Sequence, residues 1–279
     1  MIGHEFVSDH RGVQMSYPQR YGPWALVVGA AVGLGAEFCR QLAERGLNLI
    51  MVALEKDELD TLATDVARRY GVRTEAITGD ITDAEVFESV AGLVGDVELG
   101  MIVYNAGLSV CGRWLDTPLE RHRKVVDINV VAMMTVLHCF VPPMIERGRG
   151  GVVLLSSMSG LIGTPMYGSY AGTKALTLNL AETLWDEWRS AGVDVVAVIP
   201  GPTDTPGYRA DAPRQIRRSP KVMPVGPVVA AGLAALGRQP SVIPGRANRF
   251  SGLLLSRWLP RKKAVGIMGE TMREIYAGR

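Results

Sequence analysis

Apolar residues occur along the chain in short runs of strand length, separated by stretches with helical periodicity. The runs are Ala25 to Val28, Leu47 to Ala53, Val72 to Ile77, Leu99 to Tyr104, Val152 to Leu155 and Val193 to Ile199. Continuous hydrophobicity indicates strands that are covered on both faces, and helices between consecutive strands require parallel crossovers. The pattern predicts an α/β fold, a doubly wound Rossmann-like parallel sheet in a single domain. We expect strand order 3-2-1-4-5-6, with a seventh strand near Ser241 to Ile243.

Segments outside this rhythm divide the chain. Residues 1–22 contain acidic residues and no apolar core, so they do not resemble a secretory signal, and we expect an N-terminal leader there. The catalytic domain is expected over residues 23–244. Within it, residues 203–227 are dense in Pro and Arg and are predicted to form a substrate lid, and a basic amphipathic tail follows at residues 245–279.

Composition excludes several classes of protein. The 279 residues carry a formal net charge of only +2, which gives no nucleic-acid footprint. The three cysteines are widely spaced without a C-x-x-C pair, and the histidines form no cluster, so we expect a cytoplasmic protein with no metal site. Residues 128–145 and 150–173 are uncharged over the length of a membrane span. Polar residues, glycines and prolines interrupt them, as in a buried helix and a loop.

The first predicted strand leads directly into a glycine-rich turn, Gly29-Ala-Ala-Val-Gly33-Leu34-Gly35, and a helical pattern follows at once. Such a strand-to-helix turn points backbone N–H groups and the positive helix end at one place. Glycines let a pyrophosphate approach that backbone closely. Three glycines also occur in ordinary structural turns, so the position between strand and helix is what favours a dinucleotide site.

Three further positions suggest proton transfer. Tyr170 and Lys174 lie four residues apart and share one face of a predicted helix, where the ammonium would favour the phenolate and make Tyr170 an acid or base. Such a pair also arises by chance. Ser157 ends the fifth strand, at the sheet edge where ligands bind, although a loop serine can also cap backbone groups. Asn129 lies inside an apolar helix predicted from Val125 to Phe140, and a buried amide needs partners.

These motifs resemble those of the classical short-chain dehydrogenases/reductases. The glycine turn, Asn105-Ala106-Gly107, Asn129, Ser157 and Tyr170-x-x-x-Lys174 occur in the family's order, and the resemblance covers about Tyr21 to about Gly237. The opening residues 21–26 are similar to the branch with β-ketoacyl-type and hydroxysteroid-type reductases. Two positions depart from the family pattern, which has Thr at Val28 and Asn at Tyr104. We expect both departures to remove hydrogen bonds that brace the loops.

The resemblance implies roles for particular residues. Ser157 and Tyr170 would hold the substrate oxygen, Lys174 would assist Tyr170, and Asn129 would kink its helix and hold a water that links Lys174 to solvent. Family spacing, with Gly160 three residues on, selects Ser157 over Ser156 and Ser159. The implied cofactor contacts are Gly29, Gly33, Leu34, Gly35, Leu54, Glu55, Asp80, Ile81, Asn105, Ala106, Gly107, Tyr170, Lys174, Pro200, Gly201, Thr203 and Thr205. Asp80 could instead cap a helix, although Asp83 fits that role better, and residues 200–205 alone indicate only a turn.

The implied function is an NAD(P)-dependent oxidoreductase that interconverts a ketone and a secondary alcohol. Leu54 does not decide between NAD and NADP; Glu55 would repel a 2′-phosphate and Lys56 would attract one, and we favour NAD. The candidate pocket segments, residues 108–114, 160–166 and 203–227, are mostly apolar and suggest a lipid-like, acyl or steroidal substrate. A non-catalytic dinucleotide-binding sensor is the alternative. It has no need for the Tyr–Lys pair, and a methyltransferase would not explain that pair either.

Two surfaces suggest partners. The uncharged helix at residues 128–145 has more apolar surface than one sheet face needs, which predicts a homodimer or homotetramer. Residues 246–279 hold eight Arg or Lys and two Asp or Glu, a net charge of +6, around an apolar run at residues 250–259. This tail is expected to cover the substrate pocket and to give a weak, salt-sensitive peripheral membrane contact. Packing over the pocket alone is the simpler alternative.

Overall fold

The computed structural model describes residues 6–8, 14–211 and 221–276. The strands are β1 (Phe6–Ser8), β2 (Gln14–Ser16), β3 (Trp24–Val28), β4 (Asn48–Ala53), β5 (Thr74–Thr78), β6 (Leu99–Tyr104), β7 (Gly150–Leu155), β8 (Val193–Val198) and β9 (Ser241–Val242). Strands β3 to β9 form one parallel sheet of order β5-β4-β3-β6-β7-β8-β9, and β1 and β2 form a small antiparallel pair. The predicted Rossmann-like sheet, its strand order and its seventh strand are confirmed.

Helices cover both faces of this sheet. They are α1 (Tyr17–Tyr21), α2 (Gly33–Glu44), α3 (Lys56–Tyr70), α4 (Ala84–Gly95), α5 (Leu119–Val126), α6 (Ala132–Phe140), α7 (Pro142–Arg147), α8 (Gly168–Arg189), α9 (Pro206–Ala210), α10 (Val225–Ala235), α11 (Arg246–Leu253) and α12 (Arg261–Ile275). Along β3, Val27 joins the core formed with α2, α3 and α10, while Leu26 joins the core formed with α6 and α8. Successive side chains therefore enter two different cores, which explains the unbroken apolar runs.

Strand β5 differs from its prediction. The apolar run Val72 to Ile77 predicted a strand buried on both faces, but β5 begins at Thr74, and Glu75 and Ala76 are exposed. It pairs only with β4 and ends the sheet. An edge strand has neighbours on one side only, so its burial cannot be deduced from hydrophobicity alone.

The last part of the expected leader belongs to the catalytic domain. Tyr17, Arg20 and Tyr21 of α1 are buried. Arg20 Nε and Nη2 lie 3.2 and 2.9 Å from Asp194 Oδ2 in β8, and the Tyr21 hydroxyl donates to the same oxygen at 2.8 Å. Helix α1 lies within the expected leader, but it packs against the domain that was expected to begin at residue 23. Residues 1–5 and 9–13 of the leader lie outside the described residues.

One stretch of helix, Leu119–Arg147, is long and apolar enough to cross a membrane by composition. It comprises α5, a π-helical turn (Asp127–Val131), α6 and α7. In its most apolar window 56% of the residues are buried inside the protein, and the core on one sheet face uses α6. This stretch therefore has the packing of a core helix.

Candidate active site

The glycine-rich turn after β3 has the geometry of an anion-binding site. Gly29 has φ +80°, and a Cβ there would lie 2.7 Å from the Ala106 backbone nitrogen, so the position requires glycine. A Cβ on Gly35 would collide with the Gly29 carbonyl oxygen. Helix α2 begins at Gly33 with no side-chain cap and no acidic residue in its first turn. Its first N–H groups and its positive end are thus available to a phosphate, and the turn fits a dinucleotide.

Two neighbouring loops approach this turn. The Asn105 side chain after β6 donates from Nδ2 to the Gly29 carbonyl at 2.7 Å. From the loop after β8, the Thr205 methyl group would lie 3.1 Å from a Cβ on Gly33. The loops after three parallel strands therefore meet at the carboxyl edge of the sheet, where open α/β sheets bind ligands.

A cavity of about 500 Å³ opens at this edge. Of the predicted site residues, those lining it are Leu34, Asn105, Gly107, Ser157, Tyr170, Lys174, Pro200, Gly201, Thr203 and Thr205. The predicted residues that do not line it are Gly29, Gly33, Gly35, Leu54, Glu55, Asp80, Ile81, Ala106 and Asn129. The structure thus brings the Tyr–Lys pair, Ser157 and the loops after β6 and β8 to one space.

Lys174 is buried beneath this cavity. Its Nζ donates to the Leu155 carbonyl at 2.7 Å and lies 5.7 Å from the centroid of the Tyr170 ring. A Cβ on Gly107 would lie 3.3 Å from this Nζ, so the loop after β6 lies directly against the ammonium group. Burial lowers the pKa of Lys174 to about 8 because the charged form loses its hydration.

Tyr170 remains a neutral phenol in this environment. Burial raises its pKa, the neighbouring Ser157 hydroxyl partly opposes that rise, and the negative charge of Asp211 adds to it. The sequence-based argument that Lys174 favours the phenolate is therefore not sufficient, because desolvation outweighs the other influences of the protein.

The three serines after β7 have different surroundings. Ser156 is buried and donates to the Lys174 carbonyl at 2.8 Å. Ser157 lines the cavity beside Tyr170, and its hydroxyl donates to Ser159 Oγ at 3.3 Å and accepts from the Ser159 backbone N–H at 3.2 Å. All three serines line the cavity, but the Ser156 hydroxyl is used in a hydrogen bond that joins the end of β7 to α8.

Asn129 lies in the π-helical turn and ties three segments together. Its Nδ2 donates to the Leu108 carbonyl and to Thr173 Oγ1, both at 3.0 Å, and its Oδ1 accepts from the Leu108 N–H at 2.8 Å. The uninterrupted helix predicted from Val125 to Phe140 is thus replaced by α5, the π turn and α6. Both amide hydrogens of Asn129 bind protein atoms, so a water could reach this side chain only through Oδ1.

Tyr104 stands where the family pattern has Asn, and this difference was expected to remove a hydrogen bond that braces the loops. Tyr104 nevertheless makes such a hydrogen bond. Its hydroxyl donates to the Ile128 carbonyl at 2.6 Å, which joins the end of β6 to the π turn. That expectation is wrong for Tyr104, because a longer side chain spans the distance with its own hydroxyl. Val28 has no such group and is simply buried in the sheet.

The remaining cofactor candidates lie at the ends of β4 and β5. Leu54 is 62% exposed, Glu55 is also exposed, and the Lys56 ammonium binds Asp60 at 2.6 Å. Asp80 accepts from the N–H and hydroxyl of Thr82 and from Lys124. Although partial burial alone would raise its pKa, these bonds hold the pKa of Asp80 below its ordinary value.

Sequence reasoning missed several residues of the cavity wall. Helix α12 contributes Ile267, Met268, Thr271, Met272 and Ile275, and Tyr276 follows that helix. Tyr167 and Asp211 also line the cavity. Tyr167 is the N-cap residue of α8 and precedes Tyr170 by three residues, which is a signal that spacing could have provided. Asp211 lies in the predicted lid and Tyr276 in the tail that was expected to cover the pocket, but no motif singled out either residue.

His122 is buried in α5. Its ring stacks on Trp114 with centroids 4.2 Å apart, and its nitrogens bind the Ser169 hydroxyl and the Trp114 carbonyl. Among the described residues, no group of three or more His, Cys, Asp or Glu could hold a metal ion.

Comparisons with known proteins agree with this geometry. A family model described as short chain dehydrogenase matches residues 23–215. A 7beta-hydroxysteroid dehydrogenase of Collinsella aerofaciens is 31% identical over 85% of this chain and 91% of its own length. A very-long-chain 3-oxoacyl-CoA reductase of Anas platyrhynchos is 28% identical over 92% of this chain and 82% of its own.

Solved structures show the same similarity. One from work on 7beta-hydroxysteroid dehydrogenase stereoselectivity superposes with a TM-score of 0.84 and 28% identity, covering 91% of this chain and 99% of the other. A short-chain dehydrogenase from Sphingobium yanoikuyae in complex with NADPH has a TM-score of 0.73 and 28% identity, covering 85% and 94%. The chain therefore belongs to the short-chain dehydrogenase/reductase family and is an NAD(P)-dependent oxidoreductase.

Proposed function

We propose that this enzyme interconverts a ketone and a secondary alcohol on a lipid-like substrate, either steroidal or acyl. The observation that carries the proposal is the cavity, in which Ser157 and Tyr170 stand at one wall and methionine, leucine and isoleucine side chains of the tail form another. Among its relatives, one is named for a hydroxysteroid and one for a 3-oxoacyl-CoA substrate. The comparisons give no support to a non-catalytic sensor.

The proposed mechanism uses the protonated form of Tyr170. The dinucleotide, when bound, supplies the hydride chemistry. Because burial keeps its pKa high, Tyr170 holds its proton at neutral pH and can donate it to a substrate oxygen at hydrogen-bond distance from its hydroxyl. The Ser157 hydroxyl donates to the same oxygen and orients it. Lys174 places a positive charge next to the phenolate that results, and Asn129 holds the loop after β6 against Lys174.

Residues of the glycine turn and of the surrounding loops are proposed to bind the cofactor. Gly29, Gly33, Leu34 and Gly35 would cradle the pyrophosphate at the start of α2. Asp80 and Ile81 would flank the adenine, and Leu54 and Glu55 would flank the ribose. The nicotinamide half would be lined by residues 105–107 and by Pro200, Gly201, Thr203 and Thr205. The expected lid at residues 203–227 includes residues 212–220, which lie outside the described residues; from its described part, Thr203, Thr205, Gly207, Tyr208 and Asp211 line the cavity.

The proposal is tested by following nicotinamide fluorescence with a panel of steroid ketones, 3-oxoacyl thioesters and short aliphatic ketones. We expect kcat/KM for the bulky apolar ketones to be at least about tenfold higher than for the short ones. Only the bulky ketones are large enough to contact the apolar wall of the cavity. Equal or better turnover of short ketones would refute the substrate class. No turnover of any ketone or alcohol, by protein that still binds the dinucleotide, would refute the reaction itself.

We further propose a preference for NAD. Glu55 is exposed at the end of β4, where its charge would repel a 2′-phosphate, and the Lys56 ammonium is held by Asp60 instead. The dissociation constants for NADH and NADPH test this preference. Glu55→Gln should reduce the difference between the two dissociation constants. Glu58→Gln, which removes an exposed acid within α3, serves as the control. Tighter binding of NADPH by the wild type would reverse the preference.

A weak membrane contact is proposed for the tail of this otherwise cytoplasmic enzyme. Phe250 and Trp258 are 59% and 63% exposed and lie edge to face, with Arg257, Lys262 and Lys263 exposed nearby in sequence. Exposed aromatic rings beside cations suit an anionic lipid surface. Truncating the tail would also remove the cavity wall, so point variants are required.

Sedimentation with anionic vesicles at low salt tests the contact. The double variant Lys262→Glu, Lys263→Glu should lose binding. The control is Arg68→Glu, Arg69→Glu, which reverses two exposed charges of α3. The membrane contact would be refuted if the tail variant and the wild type sedimented equally, or if the wild type did not sediment at all. The tail would then serve only as a wall of the cavity.

A further inference from the structure

A polar cluster interrupts the apolar part of the substrate cavity. The Tyr167 hydroxyl donates to Asp211 Oδ2 at 3.0 Å and lies 2.6 Å from the Tyr276 hydroxyl. Ser109 Oγ makes a longer contact to the same Asp211 oxygen, 3.4 Å. All four residues line the cavity, and they come from four different segments of the chain. The reaction proposed above uses none of them.

The cluster is close to the reacting centre. Tyr167 lies one helical turn before Tyr170, and their rings meet edge to face with centroids 5.9 Å apart. The charge of Asp211 is near enough to contribute to the raised pKa of Tyr170. A substrate whose carbonyl contacts Tyr170 would therefore carry its neighbouring atoms toward Asp211.

Each phenol of the cluster has one proton to donate in a hydrogen bond. Tyr167 donates its proton to Asp211, so the hydrogen bond between the two phenols uses the proton of Tyr276. Both phenol protons are then used inside the cluster. Asp211 Oδ1 has no hydrogen-bond partner among the residues that the structure describes, and an ionised carboxylate only accepts. The cluster thus presents an acceptor to the cavity and offers no phenol proton to a ligand.

The charged residues that line the cavity also favour a neutral ligand group beside Asp211. Of the described residues that line the cavity, Lys174 is the only cation, and it is buried at the catalytic end against Leu155. Among the described lining residues, no other group would neutralise a second anion beside Asp211. A substrate carboxylate placed there would meet an unscreened like charge, whereas a hydroxyl would satisfy Oδ1.

We propose that Asp211 is a specificity-determining residue that selects ketones carrying a second, neutral hydrogen-bond donor, a hydroxyl group, near the reacting carbonyl. This inference rests on the proposed function and narrows it from apolar ketones to hydroxylated ones. Tyr167 and Tyr276 position the carboxylate, and Tyr276 thereby joins the end of the tail to the substrate site.

A set of steroid monoketones on one ring skeleton tests the inference. The members carry a single hydroxyl at different ring positions, and the controls are the parent without that hydroxyl and an analogue with a carboxylate in its place. For the wild type, kcat/KM should favour at least one hydroxylated ketone over its parent by about tenfold or more, as for a hydrogen bond to a charged group. The carboxylate analogue should be the poorest substrate.

Asp211→Asn is the matched substitution, because its amide oxygen can still accept from Tyr167 and keep the cluster assembled. In this variant the preference for the hydroxylated ketone should fall below about threefold, and the carboxylate analogue should improve. Asp204→Asn is the control, since its exposed carboxylate pairs with Arg209 outside the cavity. Dinucleotide binding reports whether each variant is folded.

The outcomes separate the two proposals. If the wild type reduces the parent and every hydroxylated ketone equally well, Asp211 has no selective role while the proposed reaction stands. If Asp211→Asn lowers kcat/KM by the same factor for all of them, the cluster only braces the wall, and the inference is again wrong. If the wild type reduces no ketone, the proposed function itself has failed.

Discussion

The contact between α1 and β8 makes a quantitative prediction about stability. Arg20 and Asp194 are both nearly fully buried, with 4% and 3% of their side chains exposed. Asp194→Asn keeps the size of the side chain but removes the buried negative charge that faces Arg20. Removing one partner of a buried pair costs about 3–5 kcal/mol, because the remaining charge stays desolvated. The free energy of unfolding should therefore fall by about that amount.

Thermal and urea unfolding of the two proteins measure the effect. At about 2 °C per kcal/mol for a chain of this size, Tm should fall by about 6–10 °C. The control is Asp65→Asn, which removes the partner of Arg68 in an exposed ion pair of 2.8 Å and should cost less than about 1 kcal/mol. If Asp194→Asn destabilises no more than this control, the buried pair does not anchor α1, and residues 17–21 would behave as the dispensable leader after all.

Three further predictions concern activity and assembly. Tyr170→Phe should lower turnover by at least about 10²-fold with the dinucleotide affinity unchanged, because it removes the proposed proton donor; full activity would contradict the mechanism. Because burial lowers the pKa of Lys174 to about 8, its ammonium is charged below that pH and neutral above it, so kcat/KM for ketone reduction should decline above about pH 8. Lys174→Arg should shift this decline to higher pH, and a flat wild-type profile up to pH 10 would exclude Lys174 as its source. We propose a homodimer or homotetramer formed through α5, the π turn and α6, where Val131 and Met134 are 52% and 49% exposed, so light scattering should show Met134→Glu as a smaller species than the wild type.

The sequence alone predicted the fold, and it predicted that Tyr170 and Lys174 lie together, for physical reasons that are local. Strands buried on both faces must be apolar throughout, so the runs marked most of the strands, and the doubly wound topology supplied their expected order. Tyr170 and Lys174 share a helix face whatever the tertiary arrangement. Gly35 is required by the backbone of the glycine-rich turn, because a Cβ there would collide with the Gly29 carbonyl oxygen. Signals of this kind extend over a few residues and survive without knowledge of the packing.

Tertiary structure decided what depends on contacts between distant segments. Arg20 and Asp194 are 174 residues apart, and only their pairing shows that α1 belongs to the domain. Tyr276 meets Tyr167 across 109 residues, which brings the end of the tail into the cavity wall. Burial, which raises the pKa of Tyr170 and lowers that of Lys174, is likewise a property of the assembled protein. Residues that are desolvated or paired over long distances do not recur at regular intervals along the chain, so no pattern in the sequence predicts them.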